Sequence, residues 1–370
     1  MAGASHLYVH LPFCSSRCGY CDFVTVVGRP ESHGAYVDAL IAELELERAL
    51  LAGRVETVYL GGGTPTFTDR GQLARLLRSL PPADELTVEA NPETATPELA
   101  ALLAQNGVNR VSIGAQSFHM HLLDVLERRA GPDDVRRAVQ RFRDAGIDNV
   151  SLDLIYGIPG QEPAQLEHDL AEALALDPEH ISAYELEAKP GTRFTHAHGA
   201  ELARQAESME GYLEQVVTTL TRAGYRWYET ANFCRTPERA DGRDLRSRHN
   251  LGYWLGHDYL GLGLGAVSTI ENRRWRNAPS LARYQAALAQ GRRPPREHEE
   301  LREPTRASER LLLGLRLDEP LPLAGLDEVL DAAELDRLER LGLASTRDGE
   351  LTLSPRGRFV GDAVTARLLV

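Results

Sequence analysis

The sequence predicts an α/β protein, with a partial or complete β/α barrel followed by a small helical, winged-helix-like C-terminal domain. Two observations support this prediction. The first 190 residues alternate about six times between short apolar runs and longer amphipathic stretches, and each short run ends on unusual residues. Such alternation is typical of βαβ units and a parallel sheet. An open doubly wound sheet fits the alternation equally well, so the strand ends have to decide between the two.

The apolar runs and the amphipathic stretches place the elements in order. Strands are expected at Leu7–Leu11, Thr57–Leu60, Glu85–Ala90, Arg110–Ala115, Val150–Ile155 and His180–Leu186. Helices are expected between them at about Ala35–Leu51, Arg70–Ser79, Pro97–Gln105, Asp133–Ala145 and Pro163–Ala175. Glycines that follow the first, third and fourth of these helices mark where they end.

All six strands end on residues that carry chemistry or bend the backbone. In order, the ends are a cysteine run, Gly61-Gly62-Gly63-Thr64-Pro65, Glu89-Ala90-Asn91-Pro92, Gln116-Ser117, Asp153, and Glu185 with Glu187. In β/α barrels the working groups lie at the carboxyl ends of the strands, where they converge on one mouth. The strand ends therefore favour a barrel, complete or partial, over an open sheet.

The pattern changes after Gly199. A long helix is expected over Ala200–Ala223, and prolines at 294, 295 and 304 indicate a linker. Beyond Ala307 we expect short helices, a hairpin turned at Asp348-Gly349 and a final helix after Pro355, an order that resembles a winged-helix module. The chain is therefore expected to have three parts: a core barrel over 1–235, an extension over 236–300 and a C-terminal domain over 301–370.

Composition and charge limit the classes of function. A formal net charge of −13 argues against a nucleic-acid partner, because phosphate backbones require basic patches. The sequence has no run of about 18 apolar residues that could span a bilayer. Its first residues lack the pattern of a signal peptide. We therefore expect a cytoplasmic protein.

Three of the four cysteines, Cys14, Cys18 and Cys21, fall within one short segment after the first strand. Their C-x3-C-x2-C spacing indicates a metal site, since so few cysteines in a long chain do not make a disulfide framework. A structural zinc site needs four ligands, so it would require His10 or another histidine. A 4Fe–4S cluster on three cysteines leaves one iron open to an external chelator. We predict the cluster; zinc, or simply buried cysteines, are the alternatives.

This cysteine run, with Tyr20 just before its last cysteine, resembles that of the radical S-adenosylmethionine superfamily. The resemblance implies a 4Fe–4S cluster on Cys14, Cys18 and Cys21, whose open iron is chelated by the amino and carboxylate groups of S-adenosylmethionine. In the superfamily, electron transfer from the cluster cleaves this cofactor and can yield a 5′-deoxyadenosyl radical. Gly61-Gly62-Gly63-Thr64-Pro65 resembles the motif that meets the methionine amino group, where glycine lets the backbone approach the ligand closely.

Other polar positions match those that the superfamily places around S-adenosylmethionine. Carboxylates suit ribose hydroxyls or an amino group, and an arginine suits the methionine carboxylate through a charge-assisted pair. The matching residues are Tyr8, Tyr20, Glu89, Gln116, Arg128 and Asp153. Taken singly, Glu89 and Asp153 could cap the segments that follow them, and Arg128 could lie on a solvated helix face. The family tends to have Gly-Arg after Leu126, so Arg129 is an alternative to Arg128.

The wider pattern resembles the branch of the superfamily related to oxygen-independent coproporphyrinogen III oxidase, over nearly the whole chain and including the C-terminal module. The segments that carry the resemblance are Tyr8-Val9-His10-Leu11-Pro12-Phe13-Cys14, Gln116-Ser117-Phe118 and Asp153-Leu154-Ile155-Tyr156-Gly157. The oxidases have a further cysteine two positions after the run, where this chain has Phe23. They also have a substantial extension before the cluster, whereas this chain reaches Cys14 almost at once.

The hexapeptide His249-Asn250-Leu251-Gly252-Tyr253-Trp254 resembles the HNxxYW signature of haem chaperones in the same branch. A neutral imidazole is a good axial ligand for haem iron, and aromatic rings offer flat faces to the macrocycle. The simpler interpretation is a hydrogen-bonded histidine in a loop beside two buried aromatic residues. Together with Phe23, however, the hexapeptide favours haem binding through His249.

The resemblance therefore implies a chaperone that passes haem to an acceptor protein, which the sequence leaves unidentified. The cluster and S-adenosylmethionine would act in regulation or assembly, without established porphyrin oxidation. The alternative is an oxidase-like radical enzyme that removes two propionate carboxyl groups as CO2. Val267 departs from the pattern, because the family usually has a histidine there. Cys234 matches no ligand position, and we expect it to be a small buried thiol.

Overall fold

A twelve-stranded mixed sheet dominates the computed structural model, which describes residues 3–189 and 192–370. The strands are β1 (His6–Leu11), β2 (Phe13–Cys14), β3 (Val26–Val27), β4 (Val55–Gly62), β5 (Ala83–Ala90), β6 (Arg110–Gln116), β7 (Asn149–Tyr156), β8 (His180–Glu185), β9 (Tyr225–Glu229), β10 (Asn232–Arg235), β11 (Tyr259–Leu262), β12 (Val267–Ile270), β13 (Arg273–Asn277), β14 (Arg296–Glu300), β15 (Leu321–Pro322), β16 (Ala344–Arg347) and β17 (Glu350–Leu353). The helices are α1 (His33–Glu47), α2 (Arg70–Ser79), α3 (Pro97–Gln105), α4 (Met120–Val125), α5 (Pro132–Asp144), α6 (Pro163–Ala175), α7 (Arg193–Gln205), α8 (Met209–Arg222), α9 (Arg248–Trp254), α10 (Leu281–Leu288), α11 (Glu303–Gly314), α12 (Ala332–Arg340), α13 (Pro355–Phe359) and α14 (Gly361–Leu368).

The predicted βαβ alternation is confirmed. The six expected strands correspond to β1 and β4 to β8, and the five expected helices to α1, α2, α3, α5 and α6. The bounds of α2, α3 and α6 are those predicted, because local signals mark where these helices begin. Asp69 and Thr96 accept backbone N–H groups of the first turns of α2 and α3, and α3 and α6 begin on proline.

The prediction of one long helix over 200–223 is wrong. Two helices, α7 and α8, occupy this region, and a 3₁₀ turn at Ala206–Ser208 separates them. The break lets the two helices bury different surfaces: α8 packs Tyr212 and Val216 into the main core, whereas α7 buries only Phe194. The helix also begins earlier than predicted, because the Thr192 hydroxyl accepts the N–H of Thr195 and caps it.

The main sheet forms an open, partial barrel. Seven neighbouring strands are parallel, in the order β11-β1-β4-β5-β6-β7-β8. Antiparallel strands extend the sheet at both ends, with β12 to β14 beyond β11 and β10 and β9 beyond β8. In the described residues β14 and β9 are the two edges, so the partial form of the predicted barrel is the observed one. The sequence had not indicated that β11 would pair with β1.

The parallel strands alternate between an apolar and a polar face. In β1, Leu7, Val9 and Leu11 are fully buried in the main apolar core, and His6 and Tyr8 alternate with them. The pairing of β1 with β4 places His6 beside Thr57 and Tyr8 beside Tyr59, so the polar residues of neighbouring strands form rows on one face. The apolar face packs on the helices, and the polar face lines the inside of the barrel.

The C-terminal region has an apolar cluster of its own, built from residues between Leu311 and Leu368. It surrounds the three-stranded sheet β15-β17-β16, whose predicted hairpin turns at Asp348 and Gly349, both with positive φ. Residues of the 236–300 segment instead share the main core with the barrel. The three-part division of the chain remains a prediction. Over 3–189 and 192–370, the structure contains no helix long and apolar enough to cross a membrane.

Candidate cofactor site at the mouth of the barrel

A cavity of about 400 Å³ lies at the carboxyl ends of the parallel strands. It brings together most of the residues that the sequence singled out, although they are spread over 140 positions of the chain. The predicted residues that line it are Cys14, Cys18, Tyr20, Cys21, Gly62, Gly63, Thr64, Glu89, Gln116, Arg128 and Asp153. Tyr8 and His249 are not among the lining residues. The cavity also contains Phe23, whose side chain is 63% exposed at its rim.

Backbone and side-chain hydrogen bonds hold the cysteine loop. The Cys14 carbonyl accepts the N–H of Gly28 at 2.9 Å, and the Cys18 carbonyl accepts the N–H of Cys21 at 3.2 Å. The Arg17 guanidinium donates to the Cys21 carbonyl at 3.0 Å. None of these bonds involves a sulfur atom, and all three cysteines line the cavity. Burial raises the pKa of the Cys14 and Cys21 thiols, a cost that a bound positive metal would offset.

The arrangement fits a multi-iron cluster better than a zinc ion. His10, the histidine named above as a possible fourth zinc ligand, has both ring nitrogens engaged: Nδ1 with the Tyr8 hydroxyl at 3.0 Å and Nε2 with the Val24 carbonyl at 2.8 Å. In the described ranges no three His, Cys, Asp or Glu side chains converge to hold a single ion. A cubane cluster binds each cysteine through a different iron, so its ligands surround a volume instead of meeting at a point. The three thiols around one cavity suit this geometry.

The cysteine loop packs directly on the glycine strand end, Gly61–Gly63 at the end of β4, so side chains do not fit there. A Cβ on Gly63 would lie 2.5 Å from the Pro12 carbonyl oxygen and 2.9 Å from the Cys14 sulfur. Gly62 has φ of 118°, and a Cβ there would lie 2.6 Å from the His10 ring. Thr64 adds a hydroxyl that donates to the Cys14 sulfur at 3.7 Å. The strand end and the cysteine loop therefore form one wall of the cavity.

Glu89 is a buried carboxylate held by two donors. Its Oε1 accepts from the Tyr59 hydroxyl at 2.8 Å, and its Oε2 accepts from the Gly62 backbone N–H at 3.0 Å. Burial raises the pKa of Glu89 to about 7, the two hydrogen bonds oppose this rise, and the nearby charge of Asp153 adds to it. Glu89 can therefore bind a cationic amino group as a carboxylate or donate a hydrogen bond when protonated.

Arg128, and not Arg129, faces the cavity. Its Nη2 donates to Asn91 Oδ1 at 2.9 Å and to the Gly114 carbonyl at 3.0 Å, and its Nη1 lies 3.8 Å from the Cys18 sulfur. Arg129 is exposed. The guanidinium thus places a fixed positive charge beside the cysteine loop, where an anion or an electron-rich sulfur is stabilised.

Two further predicted residues lie at neighbouring strand ends. Asp153 accepts from the Ser112 hydroxyl at 3.0 Å, and burial raises the pKa of Asp153 while the charges of Arg110 and Arg128 oppose that rise. Gln116 has φ of 66°, in the left-handed region that non-glycine residues rarely adopt, at a bulge between β6 and β7. Backbone strain of this kind persists where the surrounding structure enforces it, commonly at functional sites.

His249 lies in helix α9, and not in a loop, beneath the cavity. Its Nδ1 is hydrogen-bonded to the Thr57 hydroxyl at 2.7 Å and its Nε2 to the Tyr253 hydroxyl at 2.9 Å. Burial lowers the pKa of His249 to about 3, so the imidazole is neutral. Tyr8 is half-buried, and its hydroxyl is hydrogen-bonded to His10 Nδ1 at 3.0 Å. Both ring nitrogens of the predicted haem ligand are therefore already engaged.

Several cavity residues were not predicted from the sequence. They are Tyr59, Arg110, Ser112, Ser182 and Tyr184, whereas Asn91 and Asn250, which also line the cavity, lie in segments that the sequence had singled out. Most of them alternate with apolar residues in β4, β6 and β8. This alternation of polar and apolar residues along the strands could have predicted them from the sequence. Parallel strands buried on both faces normally read as continuous apolar runs.

Cys234 is 3% exposed, as predicted for a small buried thiol, and burial raises its pKa to about 12.

A second buried histidine makes the fold sensitive to acid. Burial, with the charge of His257 as a second cause, lowers the pKa of His6 to about 4, whereas the unfolded chain has a histidine pKa near 6.5. As pH falls below 6.5, His6 binds a proton in the unfolded state but not in the folded state. The free energy of unfolding therefore decreases as pH falls from about 6.5 to about 4. We expect His6→Asn to reduce the loss between pH 7.5 and pH 5 by about 1–2 kcal/mol in urea unfolding. Substitution of the exposed His298 by asparagine should leave the pH-dependent loss of stability unchanged. The same pH dependence of the unfolding free energy in the wild type and in both variants would contradict the role given to His6.

Comparisons with known proteins find similar sequences over nearly the whole chain. The chain matches the model of the Radical SAM superfamily over residues 8–173 and that of the HemN C-terminal domain over residues 301–360. It is 38% identical to the heme chaperone HemW of Mycobacterium tuberculosis, covering 98% of this chain and 94% of the relative. The HemW of Bacillus subtilis is 32% identical, with 98% of both chains covered.

A solved structure shows the same fold over nearly the whole chain. The coproporphyrinogen III oxidase HemN from Escherichia coli, described as a radical SAM enzyme, superposes with a TM-score of 0.82. The match covers 98% of this chain and 90% of that one, at 24% sequence identity. At this identity the likeness establishes the architecture, and the function has to be argued separately.

Proposed function

Because this chain belongs to the HemW family of haem chaperones within the radical SAM superfamily, we propose that it binds haem and passes it to an acceptor protein. We further propose that it carries a 4Fe–4S cluster and S-adenosylmethionine in the cavity at the barrel mouth. The observation that carries the cofactor assignment is the meeting of three thiols, a glycine strand end and Arg128 around one cavity.

Cys14, Cys18 and Cys21 would hold the cluster. The sulfur atoms are the natural ligands of iron, and Arg128 beside Cys18 offers a positive charge to the negatively charged thiolate and cluster sulfurs. When bound, the cluster and S-adenosylmethionine supply one-electron chemistry at the cavity. Phe23 supports the chaperone role, because an exposed apolar ring stands at the rim where the oxidases have a further cysteine.

The other lining residues would hold S-adenosylmethionine. The backbone at Gly62 and Gly63 would lie close to the ligand, Glu89 would suit its amino group, and Arg128 would suit its carboxylate. Asp153 and Gln116 would form hydrogen bonds with the ribose hydroxyls. Tyr20, next to Cys21, would contact the cofactor beside the cysteine loop. Tyr8 supports this site indirectly, through its hydrogen bond to the His10 ring that packs under Gly62.

Haem would be bound through His249, whose imidazole is neutral and therefore suited to iron. To become a ligand, Nε2 has to give up its hydrogen bond to Tyr253, so haem binding requires a local movement of α9. We place this activity in the cytoplasm, since the thiols that hold the cluster stay reduced in that compartment.

The test is a haem titration of the full chain with its cluster reconstituted under anaerobic conditions. The wild type is expected to develop a Soret band that saturates near one haem per chain. His249→Ala should lower haem affinity at least tenfold, whereas the exposed His298→Ala should bind as the wild type does. Absence of haem binding by the wild type would refute the chaperone function, and unchanged binding by His249→Ala would refute only the ligand.

The competing oxidase activity is tested with the same preparation. We expect no conversion of coproporphyrinogen III to protoporphyrinogen when S-adenosylmethionine and a reductant are added without oxygen. Stoichiometric conversion would show a radical enzyme and contradict the proposal. The matched positive control is an oxidase of the branch assayed in parallel.

A further inference from the structure

The ring of His249 lies against the ring of Tyr59, a strand residue of the cavity. The two ring centroids are 5.1 Å apart and the planes differ by 23°, a stacked arrangement. The His249 ring cannot shift freely, because Thr57 of the same strand binds its Nδ1 and Tyr253 binds its Nε2. His249 thus forms a fixed support under Tyr59.

Tyr59 in turn holds the carboxylate that orders the glycine strand end. Its hydroxyl donates to Glu89, and the other oxygen of Glu89 accepts from the backbone N–H of Gly62. The three groups are in close contact: a Cβ on Gly61 would lie 2.9 Å from the Tyr59 ring and 3.0 Å from Glu89. The position of the Gly62 amide therefore depends on Glu89, and that of Glu89 on Tyr59.

Helix α9 is itself anchored to the strands that carry these groups. The Glu85 carboxylate in β5 accepts the backbone N–H groups of Arg248 at 3.3 Å and of His249 at 3.2 Å. The Arg248 side chain lies 3.4 Å from Glu56 and 3.5 Å from Asp84. Asn250, the residue after His249, lines the cavity directly. The hexapeptide that contains His249 therefore reaches the cavity through Asn250.

We propose that His249 is a positioning residue for S-adenosylmethionine, acting through Tyr59 and Glu89 on the Gly61–Gly63 strand end. This inference rests on the proposed function for the identity of the ligand. It has a consequence for haem: an imidazole that moves to ligate iron leaves Tyr59 unsupported. Haem ligation at His249 and retention of S-adenosylmethionine then weaken each other, and the coupling is reciprocal because binding free energies are linked.

Hydrogen exchange of the ligand-free chain tests the positioning role directly. We expect amide exchange at Gly62 to be about three to ten times faster in Tyr59→Phe and in His249→Ala, the effect of losing one net hydrogen bond. Tyr225→Phe is the matched control, because it removes the hydroxyl of another buried tyrosine, which donates to Pro178. If His249→Ala does not fold, His249→Gln replaces it. Unchanged exchange at Gly62 in the His249 variant overturns the inference.

Equilibrium dialysis of the cluster-loaded chain tests the consequence for the ligand. We expect Tyr59→Phe to raise the Kd for S-adenosylmethionine about three- to tenfold, and one equivalent of haem to raise it comparably in the wild type but not in Tyr59→Phe. An unchanged Kd in Tyr59→Phe overturns the inference. If the wild type binds no S-adenosylmethionine, the proposed function fails, and the exchange experiment still judges the positioning role by itself.

Discussion

Changing Cys18 to alanine is expected to remove the iron–sulfur cluster from the protein. With three cysteines as the protein ligands, the loss of one leaves two irons open, and such a cluster does not persist. Iron and acid-labile sulfide should fall from about four of each per chain to near zero, together with the broad visible absorption of the cluster. The measurement is metal and sulfide analysis after anaerobic reconstitution.

Cys234 provides the matched control for this experiment. It is also a free thiol, more deeply buried than Cys18, and it lies in β10, away from the cavity, in a small apolar cluster with Tyr228 and Leu251. Cys234→Ala should keep the full iron and sulfide content. A cluster retained in Cys18→Ala, or lost in Cys234→Ala, would show that the three-cysteine assignment is incorrect.

Changing Glu43 to alanine is expected to destabilise the fold by about 3–5 kcal/mol, the usual cost of breaking a buried ion pair. The Glu43 carboxylate in α1 is fully buried and accepts four hydrogen bonds. The donors are the Tyr284 hydroxyl at 2.6 Å, the Asn277 amide at 2.7 Å, the Gly263 N–H at 2.8 Å and the Arg296 guanidinium at 3.2 Å. Urea unfolding at pH 7.5 measures the loss.

The same substitution should also reduce cluster content, because Glu43 binds the turn at Gly263–Gly265, which packs against the cysteine loop. Gly263 contacts the backbone of His10 and Gly265 contacts the side chain of Val24. His10 and Val24 flank the three cysteines in the sequence. Glu45→Ala is the control: Glu45 lies in the same helix but is exposed and pairs with Arg48, and an exposed ion pair of this kind contributes little to stability. Equal stability of the two variants would contradict the role of Glu43.

Local sequence signals were sufficient for the barrel elements. Helices α2, α3 and α6 were predicted with their observed bounds because caps, N-terminal prolines and apolar periodicity lie within a few residues of one another. The helix over 200–223 was predicted wrongly because its break is set by two different packing surfaces, which a periodicity argument cannot separate. The pairing of β11 with β1 joins residues about 250 positions apart, so no local pattern could reveal it.

The cavity was predicted in outline because strand ends of a β/α repeat converge on one side. That rule identified Glu89, Gln116 and Asp153. Their residue types alone do not indicate a cofactor site; their positions at the ends of strands do. The rule passed over Tyr59 and Arg110, which lie within strands, because only the polar face of the barrel brings them to the cavity.

The sequence by itself predicted the type of site: three cysteines at one spacing indicate a cluster, the β/α repeat indicates a barrel, and the resemblance to the radical S-adenosylmethionine superfamily implies the cofactor. These properties depend on residue type and short spacing, which the chain carries before it folds. Only the tertiary structure decided the place of His249. A histidine beside Tyr253 and Trp254 is compatible with an open ligand or with a hydrogen-bonded support. The contacts with Thr57 and Tyr59, nearly two hundred residues away, make it a support in this conformation.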